Sequence, residues 1–273
     1  MKSLVSLPLS GLQQYRKRSL EVLLFRVLPH YLMDKLHRYF ELEVIGAENI
    51  PRQGPVIISP NHSGFAGFDA MLLTHEIFRF AHRVPRVLTH HLWFLTRATS
   101  IPANKMGYVE ATTNNGIREL NRNHLVIIFP EGEQGNFKPS AKAYELQEFK
   151  RGFIRMALAT GAPIVPTLII GAEETHINLR QIKLKTFFKD VLLPLPLNII
   201  PLPAKWTMIF LKPIQIECDK SRLQDREYIS QKASEIQKLM QAALDEELIK
   251  RKGRFAVATD WFKEILQSTK GSK

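Results

Sequence analysis

The chain has 273 residues, 45% of them hydrophobic and 23% charged, which is ordinary globular composition and length enough for one sizeable core. Lysine and arginine number 38 against 26 acidic residues, a formal charge of +12 that favours a polyanionic partner and leaves nucleic acid and an anionic membrane both open. The single cysteine, Cys218, excludes an internal disulfide framework and any multi-cysteine metal cage.

From Leu12 to about Tyr39 the pattern is helical, with Leu20, Leu23, Leu24, Val27, Leu28, Leu32 and Leu36 on one face beside basic residues. Pro29 is expected to kink or divide this helix. Such a segment either packs on the core or lies among lipid headgroups, where each basic residue contributes on the order of 1 kcal/mol at an anionic surface. No run reaches the roughly 18 apolar residues needed to span a bilayer, because Arg26 and Lys212 interrupt the two best. Arg16, Lys17 and Arg18 are not followed by a compact apolar stretch and a small-residue cleavage site. The expected location is therefore peripheral, on the cytoplasmic face of a membrane.

Short buried strands are predicted at 55–60, 125–129, 164–170 and 207–211, and helices at 69–80, 114–122, 148–160 and 226–250. The alternation predicts an α/β fold: one mixed, largely parallel sheet flanked by helices. Residues 1–40 form an amphipathic helical region and 41–273 the main domain, including the last helix. Residues 194–203, Pro-Leu-Pro-Leu-Asn-Ile-Ile-Pro-Leu-Pro, are too rich in proline for an ordinary strand. They read equally as a membrane-contacting loop, a lid or a buried crossover.

Two constellations follow buried strands, where open α/β sheets place their ligands. The first runs from Asn61 and His62 to Asp69, with Gly64 and Gly67 to let the loop bend. A histidine accepts a proton from a hydroxyl near neutral pH, and an aspartate fixes its tautomer. By spacing alone a structural pair is the commoner reading, because His-to-Asp pairs seven apart occur freely by chance. The second is Phe129-Pro130-Glu131-Gly132, with Lys138, Lys142, Lys150, Arg151 and Arg155 downstream, suited to a polar or phosphorylated headgroup or, more plainly, a turn before a solvated helix face. His62, Asp69, His90 and His91 match no metal-ligand spacing. No helix-turn-helix, zinc-finger or aromatic RNA-binding signature is present, so no nucleic-acid partner is expected.

Taken in order, the Asn61-His62 to Asp69 loop, Phe129-Pro130-Glu131-Gly132, Phe149-Lys150-Arg151-Gly152 and Ala162-Pro163-Ile164-Val165-Pro166 resemble the glycerolipid acyltransferase family, that of the acylglycerol-phosphate acyltransferases. The resemblance runs from about residue 40 to 217. It implies an acyl thioester donor, acyl-CoA or acyl carrier protein, a lysolipid acceptor at an anionic membrane surface, and no cofactor. It implies that His62 is the general base on the acceptor hydroxyl and Asp69 its orienting acid. Glu131, Gly132, Lys138, Lys150, Arg151 and, through a loose match at Trp93-Phe94-Leu95-Thr96-Arg97, Arg97 are the implied substrate-binding residues. A hydrophobic tunnel for the acyl chain is expected beside His62.

Two departures mark a divergent bacterial branch. Six residues rather than four separate His62 from Asp69, so that loop must bulge. The usual Phe-Pro-Glu-Gly-Thr-Arg-Ser is Phe129-Pro130-Glu131-Gly132-Glu133-Gln134-Gly135, so Gln134 stands where the family has an arginine on the acceptor phosphate. Lys138, Lys150 or Arg151 are the available replacements, unless the acceptor is not a phosphomonoester. Tyr144-Glu145-Leu146-Gln147 and Gly171-Ala172-Glu173-Glu174 are similar to segments of the same branch. The rival reading keeps the fold as a catalytically silent lipid-binding or scaffold protein.

Overall fold

The computed structural model describes residues 20–63, 67–184 and 191–251. Residues 12–19 of the expected first helix, with Arg16, Lys17 and Arg18, lie outside them, as do Gly64, Phe65 and Ala66 of the His62 loop.

From Leu20 the chain is helical, and a π turn at Leu23–Val27 runs into α1, Leu28–Tyr39. Pro29 has no N–H to give to the preceding turn, and just before it the Leu28 N–H reaches back five residues to the Leu23 carbonyl. The expected division of this helix is therefore a local widening rather than a break.

Next come β1 (Glu43–Ile45), β2 (Val56–Pro60), α2 (Phe68–Ala81), β3 (Arg86–Thr89), α3 (Arg97–Lys105) and β4 (Tyr108–Glu110). The chain continues through α4 (Thr113–Leu120), β5 (Leu125–Ile127), α5 (Gly152–Thr160) and β6 (Ile164–Ile170). It ends with β7 (Asn178–Leu184), β8 (Val191–Pro196), β9 (Thr207–Phe210) and α6 (Arg226–Lys250). Among the described residues seven strands form one sheet in the order β1-β9-β6-β2-β5-β3-β4. Every neighbouring pair is parallel except β6 and β9. This is the mixed, largely parallel α/β sheet that the alternation predicts.

Strand periodicity divides the core in two. Val56 and Ile58 of β2 join Leu72, Leu73 and Ile77 of α2 and Met33 of α1 on one face. Ile57 joins Phe153 and Met156 of α5 and Ile229, Ala233 and Met240 of α6 on the other. Buried on both faces, β2 and β5 read as continuous apolar runs.

The expected strand at 125–129 stops at Ile127, and the expected helix at 148–160 begins at Gly152. Pro194 and Pro196 do lie in a strand, contrary to expectation, because β8 pairs with β7 in a separate two-stranded ribbon. An edge strand tolerates the missing donors. Beyond it the chain is not a buried crossover: Ile199 and Ile200 are each 79% exposed.

Candidate active site

Because β2, β5, β3 and β6 run parallel, the loops after them gather on one edge of the sheet. Asn61, one residue past β2, is fully buried. Its amide donates to the Ile169 carbonyl at 3.0 Å and accepts from the Ile169 N–H at 2.6 Å. The side chain thus imitates a peptide group, prolonging the β2–β6 ladder and fixing where His62 begins.

His62 Nδ1 lies 2.6 Å from Asp69 Oδ2. The Asp69 carboxylate is fully buried, accepts the Ser63 N–H at 3.1 Å, and sits in the first turn of α2, whose dipole favours a negative charge. The longer spacing from His62 to Asp69 therefore leaves the pair in contact, and Gly67, at φ +71°, supplies the left-handed residue that starts α2. With Nδ1–H donated to the carboxylate, Nε2 is the ring nitrogen left to accept a proton. The ring packs on Phe129, centroids 4.0 Å apart, and the His62 side chain stays 15% exposed.

Glu131, fully buried, ties the second motif to the first. One carboxylate oxygen accepts the His62 N–H at 2.9 Å and the other the Gln147 N–H at 2.7 Å. Gly132 follows at φ 60°, ψ −144°, and a Cβ there would lie 2.6 Å from Lys150 Nζ. The backbone conformation requires glycine, whereas the Lys150 side chain could move aside.

Lys138 is 5% exposed and pairs with Glu173 at 2.8 Å, with Glu131 at 3.9 Å. Burial works against its charge, but Glu173 and Glu131 outweigh this and hold the ammonium above its ordinary value. Lys138 is thus a buried strut whose charge is already matched by carboxylates. Burial likewise pushes the Glu173 carboxyl up, to about 7, against the pull of Lys138. Glu173 also accepts the Tyr144 N–H at 2.7 Å, while the Tyr144 hydroxyl donates to Glu174 at 2.6 Å. The two segments singled out at 144–147 and 171–174 are therefore one network, closed by Arg251 on Glu174 at 2.8 Å.

Lys150 and Arg151 are exposed beside the Gly132 turn. Arg97 is exposed at the first residue of α3 and makes no hydrogen bond or ion pair with His62, Asp69 or Glu131. Sequence reasoning weighed His90 only as a metal ligand and did not foresee its contact with Glu133. Its Nδ1 accepts the Leu92 N–H at 3.3 Å, so Nε2–H donates to Glu133, 2.5 Å away. Burial depresses its pKa despite that carboxylate, which suits a neutral donor.

An apolar cavity of about 80 Å³ lies between the N-terminal helix and α2, lined by Phe25, Met33, Met71, Phe78, Met106 and Tyr108. Tyr108 connects it to the pair: burial, then the nearby Asp69 carboxylate, raise its phenol to about 12. The volume is below the roughly 300–1,000 Å³ of small-molecule sites, and His62 is not among the lining residues, so this cavity is not the expected acyl tunnel beside His62.

The family model described as Acyltransferase matches residues 41–170. An uncharacterised protein of Mycobacterium tuberculosis is 38% identical over 188 residues, 64% of this chain and 52% of the relative. One of Mycobacterium leprae is 35% identical over 200 residues, 69% of this chain and 54% of the relative. A 1-acyl-sn-glycerol-3-phosphate acyltransferase of Borreliella burgdorferi is 28% identical over 146 residues, 50% of this chain and 53% of the relative. The chain spans about half the length of these curated relatives. The crystal structure of the 1-acyl-sn-glycerophosphate acyltransferase PlsC from Thermotoga maritima shares the fold, with TM-score 0.54 and 16% identity over 89% of each chain.

Proposed function

We propose, from the match of the Acyltransferase family model to residues 41–170, that the chain moves a fatty acyl group from a thioester donor to a hydroxyl of a lysophospholipid or related lipid, with His62 as general base. The observation that carries the proposal is the 2.6 Å contact of His62 Nδ1 with the buried Asp69 carboxylate. That contact leaves Nε2 to take the proton of the acceptor hydroxyl as its oxygen attacks the thioester carbonyl. The new ester C–O bond forms, the C–S bond breaks, and the imidazolium returns its proton to the departing thiolate. The acceptor is itself the nucleophile, so no acyl-enzyme is required. Asp69 stabilises the imidazolium, and Glu131 holds the backbone of His62 in place.

The reaction belongs at the cytoplasmic face of an anionic membrane. Leu20, Leu23, Leu24, Val27 and Leu32 are 43–54% exposed along the N-terminal helix. Tyr39 at its far end donates to the Pro201 carbonyl at 2.7 Å, next in the chain to the exposed Ile199 and Ile200. No helix among the described residues is long and apolar enough to cross a membrane, so this surface would lie on the bilayer.

The test is to incubate the pure protein and His62→Ala with labelled acyl-CoA or acyl carrier protein and a panel of lysolipids on vesicles, reading ester product by mass spectrometry. Product from the wild type alone is expected and names the acceptor. Equal product from both, or none from either with vesicle binding intact, rejects the reaction as written.

A further inference from the structure

Lys138 is enclosed beside the catalytic edge with two carboxylates, Glu131 and Glu173, whose side chains are 0% and 5% exposed. Its ammonium stands 2.8 Å from Glu173 and 3.9 Å from Glu131, and it donates to the Glu145 carbonyl at 3.2 Å. Removing a lysine from water is unfavourable, and an apolar side chain of similar length fills such a space at lower cost. The buried charge therefore asks for a role beyond packing.

Glu131 supplies that role. One of its oxygens accepts the His62 N–H at 2.9 Å and the other the Gln147 N–H at 2.7 Å, which is the work of a carboxylate rather than of an acid. The helical turn Glu133–Asn136 presses on it: a Cβ on Gly135 would lie 2.5 Å from Glu131 Cβ and 2.8 Å from Oε2, the oxygen that Lys138 approaches. Lys138 follows that turn, its N–H donating to the Gly135 carbonyl at 3.4 Å. With water shut out, an ammonium at 3.9 Å is little screened and favours the charged form of Glu131. Glu173, itself held by the Tyr144 N–H at 2.7 Å, keeps the ammonium in place. Contacts thus run from Glu173 through Lys138 and Glu131 to the backbone of His62.

We propose that Lys138, anchored by Glu173, is a positioning residue for acyl transfer: it keeps Glu131 as the anion that fixes the backbone of His62, and so the aim of Nε2. The proposal rests on the acyl-transfer reading and takes Lys138 away from the substrate, where the resemblance expects it. A residue that acts only on the placement of His62 changes kcat and leaves both KM values in place. Arg251 provides the contrast. It pairs with Glu174 at 2.8 Å and donates to the Tyr144 hydroxyl at 3.1 Å, and among the described residues it makes no hydrogen bond or ion pair with Lys138, Glu131 or His62.

The test is made on the full chain with Lys138→Met/Glu173→Gln, which removes the ammonium together with the carboxyl nearest to it, with Glu131→Gln, with the triple variant and with Arg251→Gln. The first readout is the backbone amide proton shift of His62 in protein labelled with 15N-histidine, its peak identified by its absence from His62→Ala. The second is kcat and KM for ester formation. In Lys138→Met/Glu173→Gln the His62 amide proton is expected to move upfield and kcat to fall about 10-fold, the difference between a charge-assisted and a neutral hydrogen bond, with both KM values kept. Glu131→Gln falls at least as far, and the triple variant no further than Glu131→Gln. Lys138→Gln, the milder change if the Met/Gln pair does not fold, moves both readouts the same way by less. Arg251→Gln lowers the unfolding midpoint and leaves the His62 shift and kcat unchanged. A wild-type His62 shift and kcat in the Lys138 variants overturn the proposal. So does a raised lysolipid KM at constant kcat, a triple variant whose losses multiply, or an equal loss of kcat in Arg251→Gln. The amide shift is read without substrate, so it decides the positioning even if no ester forms, and ester formation decides the reaction.

Discussion

Asn61 bonds both backbone groups of Ile169 and so performs the work of a peptide unit one residue beyond β2. Truncation to Ala leaves a buried N–H and a buried carbonyl without partners, at about 1–3 kcal/mol each. Asn61→Ala is therefore expected to lower the urea midpoint by the equivalent of about 2–4 kcal/mol; a loss below about 0.5 kcal/mol would mean that water replaces the amide without cost. Glu173 makes a prediction of opposite character. Burial raises its carboxyl from 4.5 to about 7, so between those values the folded chain holds a proton that the unfolded chain releases. Its contribution to stability is thus complete below about 4.5 and is lost as pH rises through about 7. Glu173→Gln should gain on the wild type in denaturant melts over that window, and a constant difference between the two would show that the native carboxyl titrates normally. Both residues stood in the sequence as members of motifs but without these roles, because a hydrogen bond such as that of Asn61 across 108 residues leaves no local pattern.

Among the elements, the strands legible in advance were those buried on both faces: β2, β5, β6 and β9 each carry an apolar run that alternation with helices makes unmistakable. The three missed strands of the sheet, β1, β3 and β4, are three or four residues long and begin or end on Glu43, Arg86 and Glu110. A period of two cannot be recognised over one repeat and a half. The long C-terminal helix was legible because Ile229, Ala233, Ile236, Met240 and Leu244 keep one buried face; the structure adds its cap, Asp225, which accepts the Tyr228 N–H at 2.9 Å. The position of the candidate site was legible for a related reason: parallel neighbours put the ends of β2 and β5 side by side, so motifs 69 residues apart meet at the His62–Glu131 bond. That Lys150 and Arg226 line one groove was not, since Arg226 is brought to Lys150 only by the packing of α6.

At the scale of the whole molecule the partner proposed for the +12 charge and the apolar surface is the same, an anionic bilayer. Fully burying one large aliphatic side chain is favourable by about 1.5–3 kcal/mol, so two that insert even in part should change partitioning measurably. Ile199→Asp/Ile200→Asp is expected to co-sediment with anionic vesicles at least about 10-fold less than the wild type while keeping its unfolding midpoint. Unchanged co-sedimentation would move the contact elsewhere on the surface. The residue and element scales converge on one claim, that His62 and Asp69 act as a unit in ester formation. The measurement that tests it most directly is the rate of ester product for wild type, His62→Ala, Asp69→Asn and the double variant. Each single change should cost about 10²–10⁴ in rate, and the double should fall no further than His62→Ala alone. Losses that multiply in the double variant, or a His62→Ala protein that retains the wild-type rate, would contradict the account.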